Sequence, residues 1–428
     1  MARRKRPVGK ARHQSGVALL AILTLFSVVG LYLFVGQLNA TQHRITRDMA
    51  AATTLVEAKQ ALIGDAVSRA SVNEAGYLRL PDLGFSFGSP AEGYASGAFA
   101  GNGKDFSVVG MFPWKTLDTG PLRDDSGQCL WYAVSGRLKT VPKTDALNWD
   151  TLGQIDVINA NGSFIAVNLA ALLVAPGPAL EAQSRTLADP AYLECGGNYD
   201  ARNYLDAFDS AHAVAGQLNY FDGSTNRRVA SSSGNKKFVL VDSDYFNDRF
   251  EFVTVDQIFD PLIRRRDFAA MIGILAPSDD PGGRLLDDPT FQAHLKTIVI
   301  SGSKGTDRLD CSCKNPPACT PPARGDAFQE FCDNWKEMLF LTQLPTPSRI
   351  LIDGVSSSFD CSRVLLFAGR KTAAQSRATS ADKANPLNYL ENANASSFGV
   401  PTASSSAFAG RSVFDWRNAA ADLVRCLA

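Results

Sequence analysis

Cysteine and histidine are the side chains with the sharpest chemistry in this chain of 428 residues. The eight thiols stand at Cys129, Cys195, Cys311, Cys313, Cys319, Cys332, Cys361 and Cys426. An even number, with none before position 129, predicts disulfides formed in an oxidising compartment, each stabilising a loop-rich domain by about 2–4 kcal/mol. The four between 311 and 332 also fit a thiolate zinc site, though C-x-C-x5-C-x12-C lacks the paired C-x2-C knuckles of such sites. Free thiols are the third reading. Proximity favours bonds within that cluster, and Cys361 with Cys426 would close the C-terminal segment. Spacing leaves the full connectivity open.

The four histidines are His13, His43, His212 and His294. The first two flank a long apolar run, and the others read as ordinary surface or interface residues. No G-x-S-x-G elbow occurs. The string from Gly97 to Asp105 resembles a phosphate loop but has one spacer too many and ends in an acid where Ser or Thr is required. The acid-rich stretches beginning at Ser278 and Leu286 have carboxylates suited to calcium, but no EF-hand spacing, and solvated turn acids are the preferred reading. No catalytic, cofactor-binding or metal-binding residue is assigned, and no cofactor is expected.

The elements that would position any site begin with that apolar run. Residues 17–38, VALLAILTLFSVVGLYLFVGQL, carry no charge. As a helix they would rise about 33 Å, near the thickness of a bilayer core. Arg3, Arg4, Lys5, Arg6, Lys10 and Arg12 precede them, and the first acid is Asp48. The positive-inside rule then predicts a single-pass inner-membrane protein with a cytoplasmic N-terminus and a periplasmic bulk. A buried core helix and a cleaved secretory signal ending at Leu38-Asn39-Ala40 are the competing readings. Beyond the run, Ile45, Met49, Ala52, Val56, Ile63 and Val67 keep one helical face apolar, so the helix is expected to continue towards Gly64–Gly76.

Composition, 45% apolar and 20% charged, is that of a folded protein. Apart from the basic leader the chain is mildly acidic, which argues against nucleic-acid binding. Residues 76–104 read as irregular surface chain. Strands are expected at Cys129–Val134, Ile155–Ile158 and Phe164–Val174, with a turn at Asn159–Gly162. Phe238–Val241 and Arg249–Val253 suggest a hairpin. Thr254 with Gln257 forms a candidate capping box for a helix reaching about Ile274, with Pro261 after Asp260 as an alternative start. A short helix near Phe291 and strands at Ile350–Ile352 and Val364–Ala368 follow. Residues 371–410 are rich in Ala, Ser and Asn and predict a long surface segment. The expected fold is α+β: a long N-terminal helix, transmembrane then amphipathic, followed by a large, mixed, strand-rich extracytoplasmic domain. Its parts are a leader (1–16), the helix (17–75), a strand-rich region (76–276) and a Cys-rich C-terminal region (277–428).

The basic leader ending in Gly16, followed at once by Val17, Ala18, Leu19 and Leu20, resembles the class III signal of type IV pilins and type II secretion pseudopilins. The resemblance implies cleavage by a prepilin peptidase after Gly16 and methylation of Val17. Its specific part covers about 60 residues. Major pilins carry glutamate at the fifth mature position, where this chain has Ala21. That departure implies a minor, low-copy or tip subunit. The implied partners are the lipid bilayer, the prepilin peptidase and other pilin-like subunits. The implied function is structural and not enzymatic. A pilus-associated adhesin and a membrane-tethered periplasmic enzyme are the alternatives.

Overall fold

A computed structural model describes residues 15–69, 74–86, 89–90, 92–97, 105–143, 147–180, 183–186, 194–206, 235–241, 246–272, 286, 289–297, 306–308, 334–398, 407–410 and 414–428. The chain divides into two compact units, Met1–Thr53 and Thr54–Ala428. The first helix, α1 (Ser15–Ser68), runs through the boundary. Its sequence is rich in Ala and Leu and contains no proline, so it lacks strong breakers.

In the first unit, Leu20, Ile22, Leu23, Leu25, Phe26, Val28, Val29, Leu31 and Tyr32 are all exposed. The expected transmembrane span is overturned here: among the described residues no helix is long and apolar enough to cross a membrane. The single-pass inner-membrane placement, with a cytoplasmic N-terminus and periplasmic bulk, falls with it. The chain is instead a mixed α/β protein with several sheets.

In the second unit α1 buries one stripe, Leu55, Ala58, Leu62 and Ala66, at the three- and four-residue spacing of a single helical face. This lies beside the stripe expected from the sequence: Val56 is exposed, and Ile63 and Val67 are half-buried. The larger residues were the misleading ones, since the alanines leave room for close approach. The C-terminal end of α1 is capped by a remote cation, because Arg265 donates to the carbonyls of Val67 and Arg69. A guanidinium there satisfies carbonyls that have no helical partner and faces the negative end of the helix dipole.

Besides the short pair β1 (Phe85–Ser86) and β2 (Ser89–Pro90), four sheets build this unit. One is antiparallel, in the order β3 (Val108–Met111), β4 (Trp131–Val134), β7 (Ala171–Ala175), β9 (Arg249–Val253). Every residue of β3, β4 and β7 is buried. A second has the order β6 (Phe164–Leu169), β5 (Ile155–Ile158), β8 (Lys236–Val239), with β5 and β8 parallel. Val109, Trp131, Ala133, Leu172 and Val174 of the first meet Ile155, Val157, Leu169 and Phe238 of the second in one core. The third runs β10 (Thr306–Arg308), β11 (Leu339–Ser348), β14 (Cys361–Phe367), β16 (Leu423–Leu427), and the fourth β13 (Val355–Ser356), β12 (Leu351–Ile352), β15 (Ala407–Phe408).

Several local expectations hold. Asn159 and Gly162 make the turn between β5 and β6: the Asn159 amide donates to the Ser163 carbonyl at 2.9 Å, and Gly162 takes φ +83°, which glycine adopts without steric penalty. Thr254 and Gln257 form the reciprocal capping box of α2 (Val255–Leu262). Others change. Residues 164–174 split into β6 and β7. The strands β8 and β9 do not pair with each other; they enter different sheets. Pro261 sits inside α2, and a second helix, α3 (Arg266–Ile272), replaces the expected extension. A further helix, α4 (Pro289–Thr297), covers the position of Phe291.

Two stretches expected at the surface contribute to the interior. Tyr77, Leu78, Leu80 and Leu83 are buried within the first, and Arg377, Tyr389, Leu390 and Asn394 within the second. Beneath them Trp149 contacts Phe268, Trp335, Phe367 and Phe414, with ring centroids 4.7–6.3 Å apart. Aromatic pairs at such separations add to the gain from area burial.

Candidate functional site

The residues singled out for processing, Gly16 and Val17, lie in the first turn of α1. The nine exposed apolar residues from Leu20 to Tyr32 occur at successive positions turning about 100° each, so they cover the helix all round. Its polar groups need nothing from outside. The Ser27 hydroxyl, for example, donates to the Leu23 carbonyl at 2.8 Å, a local bond that removes a polar handle from the surface. No acid or base stands between Val17 and Leu38. Such a surface can associate with apolar partners.

Among the described residues four cysteines are joined in pairs. Cys129 bonds Cys195 (S–S 2.06 Å, Cα–Cα 5.5 Å) and Cys361 bonds Cys426 (S–S 1.97 Å, Cα–Cα 5.2 Å), across 66 and 65 positions respectively. Both close long loops, which restricts the unfolded chain. Cys311, Cys313, Cys319 and Cys332 lie outside the described residues. His13 and His212 also lie outside them, as do the acids of 278–280 and 287–288.

Sequence reasoning did not anticipate a set of buried charged groups. Arg377 and Asp150 form an ion pair at 2.8 Å with both side chains nearly inaccessible. Arg377 also donates to the carbonyls of Gly369 and Asn388 and stacks 4.2 Å from the Tyr389 ring. Burial raises the Asp150 pKa even against the pull of Arg377. Asp82 accepts from the amides of Gly84 (2.8 Å) and Gly93 (2.6 Å) and from the Tyr199 hydroxyl (2.9 Å). Desolvation still pushes its pKa up to about 6. Asp422 receives the amides of Gly369 and Glu391 and the side-chain amide of Asn394.

Amides and a tyrosine hydroxyl hold Asp82 and Asp422, and a guanidinium holds Asp150, so these carboxyls tie loops together. Lys139, buried with its pKa lowered to about 8 by desolvation, donates to the Gly136 carbonyl. Only the Asp-x-Gly pattern of Asp82 and Gly84 carried a local signal, that of a turn. The partners of Asp150 and Asp422 are remote in sequence. Among the described residues no group of three or more His, Cys, Asp or Glu is arranged to hold a metal ion.

Comparison with known proteins gives no relative: no family description, no curated protein and no solved structure matches this chain.

Proposed function

We propose that the chain is a minor pilin-like or pseudopilin-like structural subunit, present in few copies or at the tip of its assembly. Its N-terminal helix packs among the helices of other subunits after a prepilin peptidase cuts between Gly16 and Val17. The observation that supports this reading is the helix surface from Leu20 to Tyr32, apolar on every side and exposed in the isolated chain. An exposed apolar surface of that extent marks a place where something else binds. A ring of partner helices covers all faces at once, which contact on one side does not. The disulfides fit a head that works in an oxidising compartment.

Cross-linking in the native assembly tests the packing. With Leu25→Cys, mild oxidation is expected to give a bond to a neighbouring subunit carrying a matching cysteine. A Leu25→Cys thiol that stays freely alkylated, with no cross-link at any neighbouring position, would refute helix packing. The processing step is read separately: Gly16→Ala should leave a longer precursor on a gel, whereas unchanged mobility would count against cleavage there.

A further inference from the structure

Asp206 and Asp248 lie far apart in sequence and meet inside the second unit. Asp206 closes the stretch 194–206, and Asp248 immediately precedes β9. Each is bound to the other's backbone. The Asp206 amide donates to Asp248 Oδ2 at 3.0 Å, and the Asp248 amide donates to Asp206 Oδ2 at 3.1 Å. Asn247 N adds a bond of 2.6 Å to the same Asp206 oxygen, and Gln183 Nε2 one of 2.9 Å to Asp206 Oδ1. Both aspartates are buried, and Asp248 Oδ1 has no hydrogen-bond partner. A second buried oxygen without a partner, Asn247 Oδ1, belongs to the adjacent residue.

The surrounding charges leave this pair undercompensated. Asp124 contributes a third carboxyl, held by the amides of Ser126, Gln128 and Gly177. The positive charge that acts on the pair is Arg185. Its guanidinium spends its hydrogen bonds elsewhere, on the carbonyls of Gly177 and Asn203 and on Gln183 Oε1. It also lies over the Tyr204 ring at 4.8 Å. Among the described residues that act on the pair, three carboxylates against one guanidinium leave excess negative charge in a desolvated place, and the cost falls when one group is neutralised. A proton from solvent can neutralise one of these carboxylates.

We propose that Asp206 and Asp248 form a proton-binding clasp: the pair takes up one proton from solvent as the surroundings acidify, and the loss of that negative charge relieves the repulsion that opposes holding Asp206 against the start of β9. The new O–H bond forms on a carboxyl of the pair, and among the described residues Asp248 Oδ1 accepts no hydrogen bond, so a proton there displaces none. Electrostatics agree in direction. Burial, then the neighbouring Asp206 charge, raises Asp248, and burial raises Asp206 to about 6. The folded chain therefore binds this proton at a higher pH than the unfolded chain does, so the clasp adds stability as pH falls through the raised folded-state value and loses it as pH rises. This inference is independent of the assembly reading above.

Urea unfolding of the full chain at pH 8 and pH 5 tests it, with Asp248→Asn and Asp206→Asn as comparisons. An amide keeps the acceptor oxygen without the charge. With Asp206 raised to about 6 and Asp248 raised as well, the unfolding constant of the unmodified chain should fall on the order of tenfold more between pH 8 and pH 5 than that of either variant. Equal pH dependence in all three chains would overturn the clasp, and it would leave other buried carboxyls such as Asp82 as the source of any shared slope. If neither variant folds, the unmodified chain decides by amide exchange corrected for intrinsic rates. The Asp206 and Asp248 amides should exchange more slowly at pH 5 than at pH 8, and equal protection would sink the proposal.

Discussion

One helix meets two different surroundings. From Leu20 to Tyr32, α1 exposes apolar side chains in every direction; from Leu55 to Ala66 it buries a single stripe and turns Val56 and Glu57 to solvent. The second stretch is stabilised by its own unit, through the buried leucines and alanines, the Lys59–Glu251 ion pair at 2.7 Å and the Arg265 cap. The first gains nothing comparable from its own chain, so its apolar surface contributes only when something outside covers it. Helix-forming sequence alone does not distinguish the two; what differs is where the apolar area goes when water leaves it.

Substitutions along α1 sharpen that contrast. Leu62→Ala removes a fully buried side chain from the stripe and should cost about 2–5 kcal/mol in urea unfolding of the isolated chain. Arg265→Met uncaps the carbonyls of Val67 and Arg69, with an expected loss of about 1–2 kcal/mol in the same measurement. Lys59→Met breaks a pair that is partly open to water and should cost no more than about 1 kcal/mol, an effect reduced further by salt. Leu25→Ala comes last: its unfolding midpoint should stay within about 0.5 kcal/mol of the unmodified chain, while assembly weakens. A large loss of intrinsic stability from Leu25→Ala would show that the two stretches are stabilised alike, and the contrast would be gone.

Local chemistry in this chain could be read before its long-range partners. The capping box at Thr254 and Gln257, the Asn159–Gly162 turn and the strand at Ile155–Ile158 depend on neighbours within a few positions, and each formed where the residues placed it. The buried stripe of α1 was misplaced because Val56, Ile63 and Val67 look more hydrophobic than Ala58 and Ala66, although those alanines share the buried face with Leu55 and Leu62. The strands β8 and β9 looked like a hairpin because they are consecutive and apolar; their true partners, β5 and β7, are set by surfaces that no local pattern reports. The length of residues 17–38 argued for a membrane span that the described helix does not support.

For the candidate site, the exposed apolar face and the cysteine positions were visible in the sequence, whereas the Asp206–Asp248 contact was not. Each aspartate alone resembles a loop acid, and only the fold brings them together.

The placement of β9 also bears on how the second unit forms. Its register sets Ala171 opposite Val253 and Ala175 opposite Arg249, so β7 has no partner on that side until a long intervening chain is in place. Pairings so distant in sequence make for slow folding. During that interval the apolar strand Ala171–Ala175 presents an open edge, and a newly made chain is then most vulnerable to pairing with a neighbour in place of itself.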